Sequence, residues 1–424
     1  MKSVLAFAAS GLCGAAMAFP EVSDVSMTQD ANRLVTITYA LSEPAVVTFD
    51  ILTNHTVSGK WESIGVERFD HATGDAGKLV AAGVGKSIVW QPRYDWPGQK
   101  ITGGNVKCEV KAWPTNAPPP FMAVSLCNEN EVRYYASEAA VPGGVTSDVW
   151  KTTHLLMRKM PAERATFRMG SAGDEYGTVS LYNNNYANER SHLVTFTSDY
   201  YIGVYPVTQK QYTLFNGSNP SQYSGDTAKY PKSDMHPVEK VTWNDLRGSS
   251  VDWPANGHTV GAGSALAKLR NLTGVEFDLP TEAQWEFACR AGASSPLYNG
   301  ELTSANVRAI GWCAGNSTNE STNAIQTWPV GLKQSNGFGL YDMIGNVYEW
   351  CLDWFGDMST DAVVDPEGLA SGTKKTLRGG SHLVNDSSVD YMWRFRSASR
   401  YNYNAPETCS HQTGCRLAAP AEAK

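Results

Sequence analysis

The chain has 424 residues with 42% apolar and 18% charged residues and a formal net charge of −7. That length allows about two to three domains, and the acidic balance excludes a nucleic-acid binder that works through a basic face. Thirteen Trp and nineteen Tyr beside 38 Gly and 21 Pro point to a turn-rich, irregular architecture.

Residues 1–18 read as a secretory signal. Lys2 supplies the positive end, residues 4–12 the apolar core, and Ala16-Met-Ala18 the small residues before cleavage, so the mature chain begins at Phe19. The product is expected to be secreted or periplasmic. Leu12 precedes Cys13 where a small residue would be needed, which argues against a lipoprotein cysteine. No other window reaches about 18 uninterrupted apolar residues, so no membrane span is expected. Eight cysteines less Cys13 leave seven, an odd number with no Cys-x-x-Cys pair. This weakens a zinc ribbon or a thioredoxin-type site and favours structural roles in an oxidising compartment.

Residues 19–113 alternate in the strand period. The runs Leu34-Val-Thr-Ile-Thr-Tyr39, Ala45-Val-Val-Thr-Phe-Asp-Ile51, Ser87-Ile-Val-Trp90 and Val106-Lys-Cys-Glu-Val-Lys-Ala-Trp113 are β-branched and aromatic, with turn residues between them. They predict an immunoglobulin- or fibronectin-like all-β sandwich of about seven strands, serving as a spacer or docking module. Gly83-Val-Gly-Lys-Ser87 lacks the first glycine of a phosphate loop, since Val80 stands there. Pro114-Thr-Asn-Ala-Pro-Pro-Pro120 is a stiff linker, and residues 114–154 as a whole lead into the second domain.

In that second domain Thr208 with Gln211, and Thr281 with Gln284, form capping boxes that start helices. The second of these helices should end near Gly292, and a third should run over residues 264–272 and stop at Gly274. Glu282 and Glu286 fall one turn apart and are expected on a solvated face rather than as a catalytic pair. No Gly-x-Ser-x-Gly elbow or His-Glu-x-x-His motif occurs.

Several blocks then follow in order over about residues 155–418. They are Phe167-Arg-Met-Gly-Ser171, Tyr201-Ile-Gly-Val-Tyr-Pro-Val-Thr-Gln-Lys-Gln-Tyr212, His236-Pro-Val-Glu-Lys-Val-Thr-Trp243, residues 279–292, residues 336–354, Leu377-Arg-Gly-Gly-Ser381, Arg400 and Gly414-Cys-Arg-Leu417. Together they resemble the sulfatase-modifying-factor family, whose best-known members are formylglycine-generating enzymes. The resemblance implies a loop-rich α+β fold related to C-type lectins. It also implies a structural calcium ion held by the side chains of Asp342 and Glu349 and the carbonyls of Gly345 and Val347. Oxygen donors on a glycine-bent loop suit a hard cation; the alternative is a hydrogen-bonded turn without an ion.

The same resemblance places the two copper-binding cysteines of the oxidase at Val384 and Val389. Aliphatic side chains offer Cu(I) no lone pair, so copper is not expected. Asn385 replaces the following histidine, and Tyr348 replaces the Trp before the calcium glutamate. Cys409 and Cys415 lie in a different segment and are expected to pair as a disulfide. The iron-dependent relatives need a histidine-rich helical domain that this chain lacks.

Between Ser381 and Gly414 the chain is crowded with His382, Asn385, Asp386, Asn402, Asn404 and the arginines Arg394, Arg396 and Arg400. Tyr391, Trp393, Arg396, Tyr401 and Tyr403 are the candidate ligand contacts, for a partner such as a glycan or a cell-surface protein. The alternative is that these aromatics are core residues of a loop-rich domain. A non-catalytic binding protein is one functional expectation, and a diverged formylglycine-generating oxidase acting on a sulfatase cysteine is its rival.

Overall fold

The computed structural model describes residues 19–54, 59–98, 101, 104–171, 189–227, 230–231, 234–401 and 405–424. The signal segment 1–18 and Tyr403 lie outside the described residues.

Residues 22–114 build two antiparallel sheets. One has the order Val22–Gln29, Val35–Leu41, Gly83–Trp90, Ala72–Gly74. In the other, Ala45–Asn54 is flanked by Trp61–Ser63, Lys78–Val80 and Val106–Pro114. The two-residue period decides what each strand buries: Val35, Ile37, Tyr39 and Leu41 meet Ala45, Val47, Phe49 and Ile51 in one apolar cluster. The run 83–87, which lacked a phosphate-loop glycine, is a plain strand.

Val46 points the other way and joins the larger core of the second half, where Trp113 also packs. Residues 121–154, expected as a lead-in, supply two strands of that half. Phe121–Ser125 and Val132–Tyr135 complete an antiparallel sheet with His154–Met160, Tyr200–Gly203 and the C-terminal Ala418–Pro420. The hydrophobic run 121–126 is too short to reveal alone which sheet it joins. The remainder is a sheet-rich α+β arrangement with short helices.

Those helices start where local chemistry places them. Thr208 and Thr281 cap Gln209–Asn216 and Glu282–Arg290 through full capping boxes, and Thr242 with Asp245 does the same for Trp243–Arg247. Ser264 caps Ala265–Thr273, which ends on Gly274 in the left-handed region. Glu282–Arg290 stops one residue earlier than its glycine suggests, because Ala291 itself takes the left-handed conformation at φ 46. Among the described residues no helix is long and apolar enough to cross a membrane.

The two halves meet where Tyr134 N–H donates to the Gly77 carbonyl at 2.7 Å and Arg133 Nη1 to the Ala76 carbonyl at 3.2 Å. Gly77 sits at φ +68, and a Cβ there would lie 2.8 Å from the Tyr134 carbonyl oxygen. Gly77→Ala should therefore combine left-handed strain with a backbone clash, costing about 1–3 kcal/mol. A lower melting temperature in calorimetry checks this, and an unchanged one would mean the seam is loose.

Candidate functional site

Beneath the C-terminal loops lies a buried ionic lattice. Glu282 and Glu286 point inward from Glu282–Arg290, at 2% and 0% exposure, rather than onto a solvated face. Arg378 bridges them, Nε donating to Glu282 Oε1 at 2.8 Å and Nη2 to Glu286 Oε2 at 2.9 Å. Arg400 donates to Glu282 Oε2 at 2.6 Å, and Arg290 to Glu286 Oε1 at 2.8 Å. The expectation of a solvated pair fails because three guanidiniums neutralise the two carboxylates in place. Burial alone would raise Glu282, but Arg400 and Arg378 outweigh it and hold its carboxyl below the usual range. These acids are structural counter-ions, which also removes them as a catalytic pair.

Asp353 borders the lattice and receives the Glu282 N–H at 2.7 Å. Burial, and then the Glu282 charge, push it up to about 7.

The glycine turn hangs from the strand Tyr348–Trp354, in which Glu349 pairs with Arg378 on one side and Gly414 on the other. Asp342, Gly345 and Asn346 all take positive φ, at 53, 80 and 59. A Cβ on Gly345 would lie 2.4 Å from the Trp312 carbonyl oxygen, so only glycine fits there. Asp342 Oδ2 accepts the Gly331 N–H at 2.7 Å, and the Asn346 amide spans to both backbone groups of Trp328. Glu349 accepts from Arg416 Nη2 at 2.8 Å and from Trp285 Nε1 at 2.6 Å. Burial first, with Glu349 adding to it, pushes Asp342 up to about 6. The turn therefore brings two buried carboxylates, Asp342 and Glu349, under the influence of one guanidinium, Arg416, and leaves a net negative charge. That deficit and the oxygen donors fit a hard cation, although Glu349 would have to share its oxygens with Arg416 and Trp285.

Around the positions of the expected ligand contacts, the side chains separate into two groups. Tyr401 stacks on Tyr348 at 4.6 Å and 10°. Arg394 lies over Tyr391, Trp393 and Tyr401 at 5.0, 5.2 and 5.8 Å, which gathers three of the named aromatics around one guanidinium. Tyr391 is 39% exposed and Trp393 is half-buried. Arg396 does not belong to this surface. It is fully buried and donates to Glu189 Oε2 at 2.7 Å, so a fixed counter-ion already occupies it. His382 is likewise buried, with Nδ1 on the Asn346 carbonyl at 2.8 Å and Nε2 facing the Tyr223 hydroxyl at 3.2 Å. Burial lowers its pKa to about 3, so the ring stays neutral.

Val384 is buried, and its carbonyl accepts the Ala314 N–H beside Cys313. The Cys313 thiol is pushed up to about 12 by burial and Asp386. All seven described cysteines are free, so the expected Cys409–Cys415 disulfide is absent. Cys415 is buried next to the Glu349–Arg416 pair while Cys409 is half-buried near Asp245 and Lys240. Arg394, Tyr348 and Gln412, which receives the Ser381 hydroxyl at 2.6 Å, are the site residues that sequence reasoning did not select. Arg394 and Tyr348 stand out in the sequence without a contact role, and Gln412 has only its proximity to the named residues.

Two outcomes follow from this charge arrangement. Arg378→Met leaves Glu282 and Glu286 without their shared partner and should lower stability by about 3–5 kcal/mol in denaturant titration. Asp353 has a folded pKa above the ~3.9 of an unfolded aspartate, so the native state binds the extra proton more tightly. Its contribution is complete below about pH 4 and is lost as pH rises through about 7. Asp353→Asn should therefore flatten the fall in melting temperature between about pH 4 and 7; an unaltered slope would contradict the assignment.

Residues 163–421 match the sulfatase-modifying factor enzyme 1-like domain. The formylglycine-generating enzyme of Streptomyces coelicolor is 34% identical over 194 residues, covering 44% of this chain and 54% of the relative. The chaperone protein LppX of Paenibacillus barcinonensis is 28% identical over 255 residues, covering 52% and 82%. Among solved structures, Treponema denticola variable protein 1 aligns with a TM-score of 0.47 at 27% identity, over 63% of this chain and 96% of its own. The chain spans about half the length of the formylglycine-generating enzymes it matches. By the match over residues 163–421, the chain belongs to the sulfatase-modifying factor family.

Proposed function

We propose that this protein is an exported member of the family that has kept the scaffold without the copper oxidase chemistry, and that it works by binding a ligand or protein partner. The observation that carries the reading is Val384 and Val389 at the two positions where the family's oxidases place copper-binding cysteines. Cu(I) is held by soft donors, and a buried valine at 384 supplies none. The thiol beside it, Cys313, is held protonated by burial and the Asp386 charge. The aromatic group on Arg394, with Tyr391 at the surface, is the contact surface of this reading. Rigid rings and a guanidinium give contact area at low entropic cost and suit a glycan or an acidic protein surface. One relative with 82% coverage carries the name of a chaperone, which is a protein-binding role. The N-terminal sheets, read as a sandwich, then act as a spacer or docking module.

The test is titration of the purified mature protein with Cu(I) against a competing chelator. No stoichiometric binding is expected, whereas tight 1:1 binding would restore the oxidase reading.

Calcium belongs to the same proposal as a structural ion. Asp342, the Gly345 and Val347 carbonyls and Glu349 would hold it, and its role would be to neutralise the buried carboxylates of the turn. Addition of about 1 mM calcium should raise the melting temperature by several degrees, and Asp342→Asn should remove that response. A shift that persists in Asp342→Asn, or no shift in the parent protein, would sink the assignment.

A further inference from the structure

Outside the family's site, one cavity is built by both halves of the chain. Its volume is about 430 Å³, in the size range of small-molecule sites. Thr48, Phe49, Phe69 and Asp70 form the N-terminal wall, with Arg133 and Tyr135 among the residues opposite. The seam at Gly77 and Tyr134 fixes its floor. Phe49 and Phe69 sit with ring centroids 4.5 Å apart and tilted by 40°, presenting an angled aromatic surface.

The charges lining the cavity do not balance. Arg133 lies 3.8 Å from Glu131, so its charge is matched. Burial lowers the pKa of His154, which keeps that ring neutral near pH 7. Asp70 remains; burial and then the Asp95 charge raise its pKa, and the neighbouring His71 ring nitrogen is 2.6 Å from Asp95. Tyr135 feels Arg133 first and then Asp70 and Glu131, which places one guanidinium and two carboxylates about one end of the aromatic wall. The lining thus carries a net negative charge against aromatic faces. That combination attracts a cation with an apolar body and repels an anion.

We propose that this cleft binds a small organic ammonium ion, with its charge against Asp70 and its apolar part against Phe49, Phe69 and Tyr135. The site is separate from the glycine turn and the Arg394 surface, and the proposal does not depend on either.

Three probes test it: 2-phenylethylammonium, 2-phenylethanol and 3-phenylpropionate share a ring and a two-carbon spacer and differ in charge. Calorimetric titration of the full mature chain at about pH 7 should give saturation by the ammonium with Kd below about 1 mM, at least about tenfold weaker binding of the alcohol, and none of the propionate. Asp70→Asn should bring the ammonium to the alcohol's affinity and leave the alcohol unchanged. Thr73→Trp, which fills the cleft, should remove both, with melting temperatures showing that each variant is folded. Equal affinities for ammonium and alcohol, ammonium binding indifferent to Asp70→Asn, or no saturation by any probe up to about 10 mM would each overturn the proposal.

Discussion

Arg378 at the centre of two buried glutamates is the constraint on which the second half of the molecule depends. Its strand, Lys375–Arg378, pairs with Tyr348–Trp354, and its guanidinium locks that sheet onto the helix Glu282–Arg290 through Glu282 and Glu286. Its remaining N–H groups reach the carbonyls of Ser397 and Ser399, which orders the C-terminal loop that follows. A loop-rich domain has few regular ladders to satisfy its backbone, and charge-assisted hydrogen bonds to a fixed guanidinium replace them. Removing one member leaves a buried charge without its partner, so the lattice acts as a unit.

The surface features follow from that frame. Glu349, on the strand beside Arg378, is turned toward Arg416 and Trp285, which brings the C-terminal segment against the glycine turn. Tyr348, its neighbour, faces the other way and stacks on Tyr401. One strand thus carries the acidic turn on one face and begins the aromatic surface on the other, as the two-residue period requires. Val384 in this frame is buried and belongs to the larger apolar core.

Features set by local chemistry were legible in the sequence. Thr208 and Thr281 cap their helices because a side-chain oxygen and an N–H three residues on suffice to define a cap. The alternation in residues 34–51 likewise announced strands, which the N-terminal sheets contain as Val35–Leu41 and Ala45–Asn54. Features set by distant partners were not. Glu282 and Glu286 looked like a solvated pair because two of their three arginines, Arg378 and Arg400, stand 92 to 118 residues away along the chain. Arg396 looked like a ligand contact for the same reason, with its partner Glu189 207 residues distant. Cys409 and Cys415 are close in sequence, but the fold buries one beside Glu349 and leaves the other in a separate, half-exposed setting. The aromatic grouping was half legible: the rings were evident from composition, while the guanidinium that organises them was one arginine among three.

The central claim is that the scaffold persists without the oxidase. Mass spectrometry of a sulfatase-type Cys-x-Pro-x-Arg peptide, after incubation with the mature protein, Cu(I) and oxygen beside an active family enzyme, tests it most directly. The account predicts an unchanged peptide cysteine from this protein and conversion by the control. Formation of formylglycine by this protein would contradict it and would require thiol ligands supplied from elsewhere than positions 384 and 389.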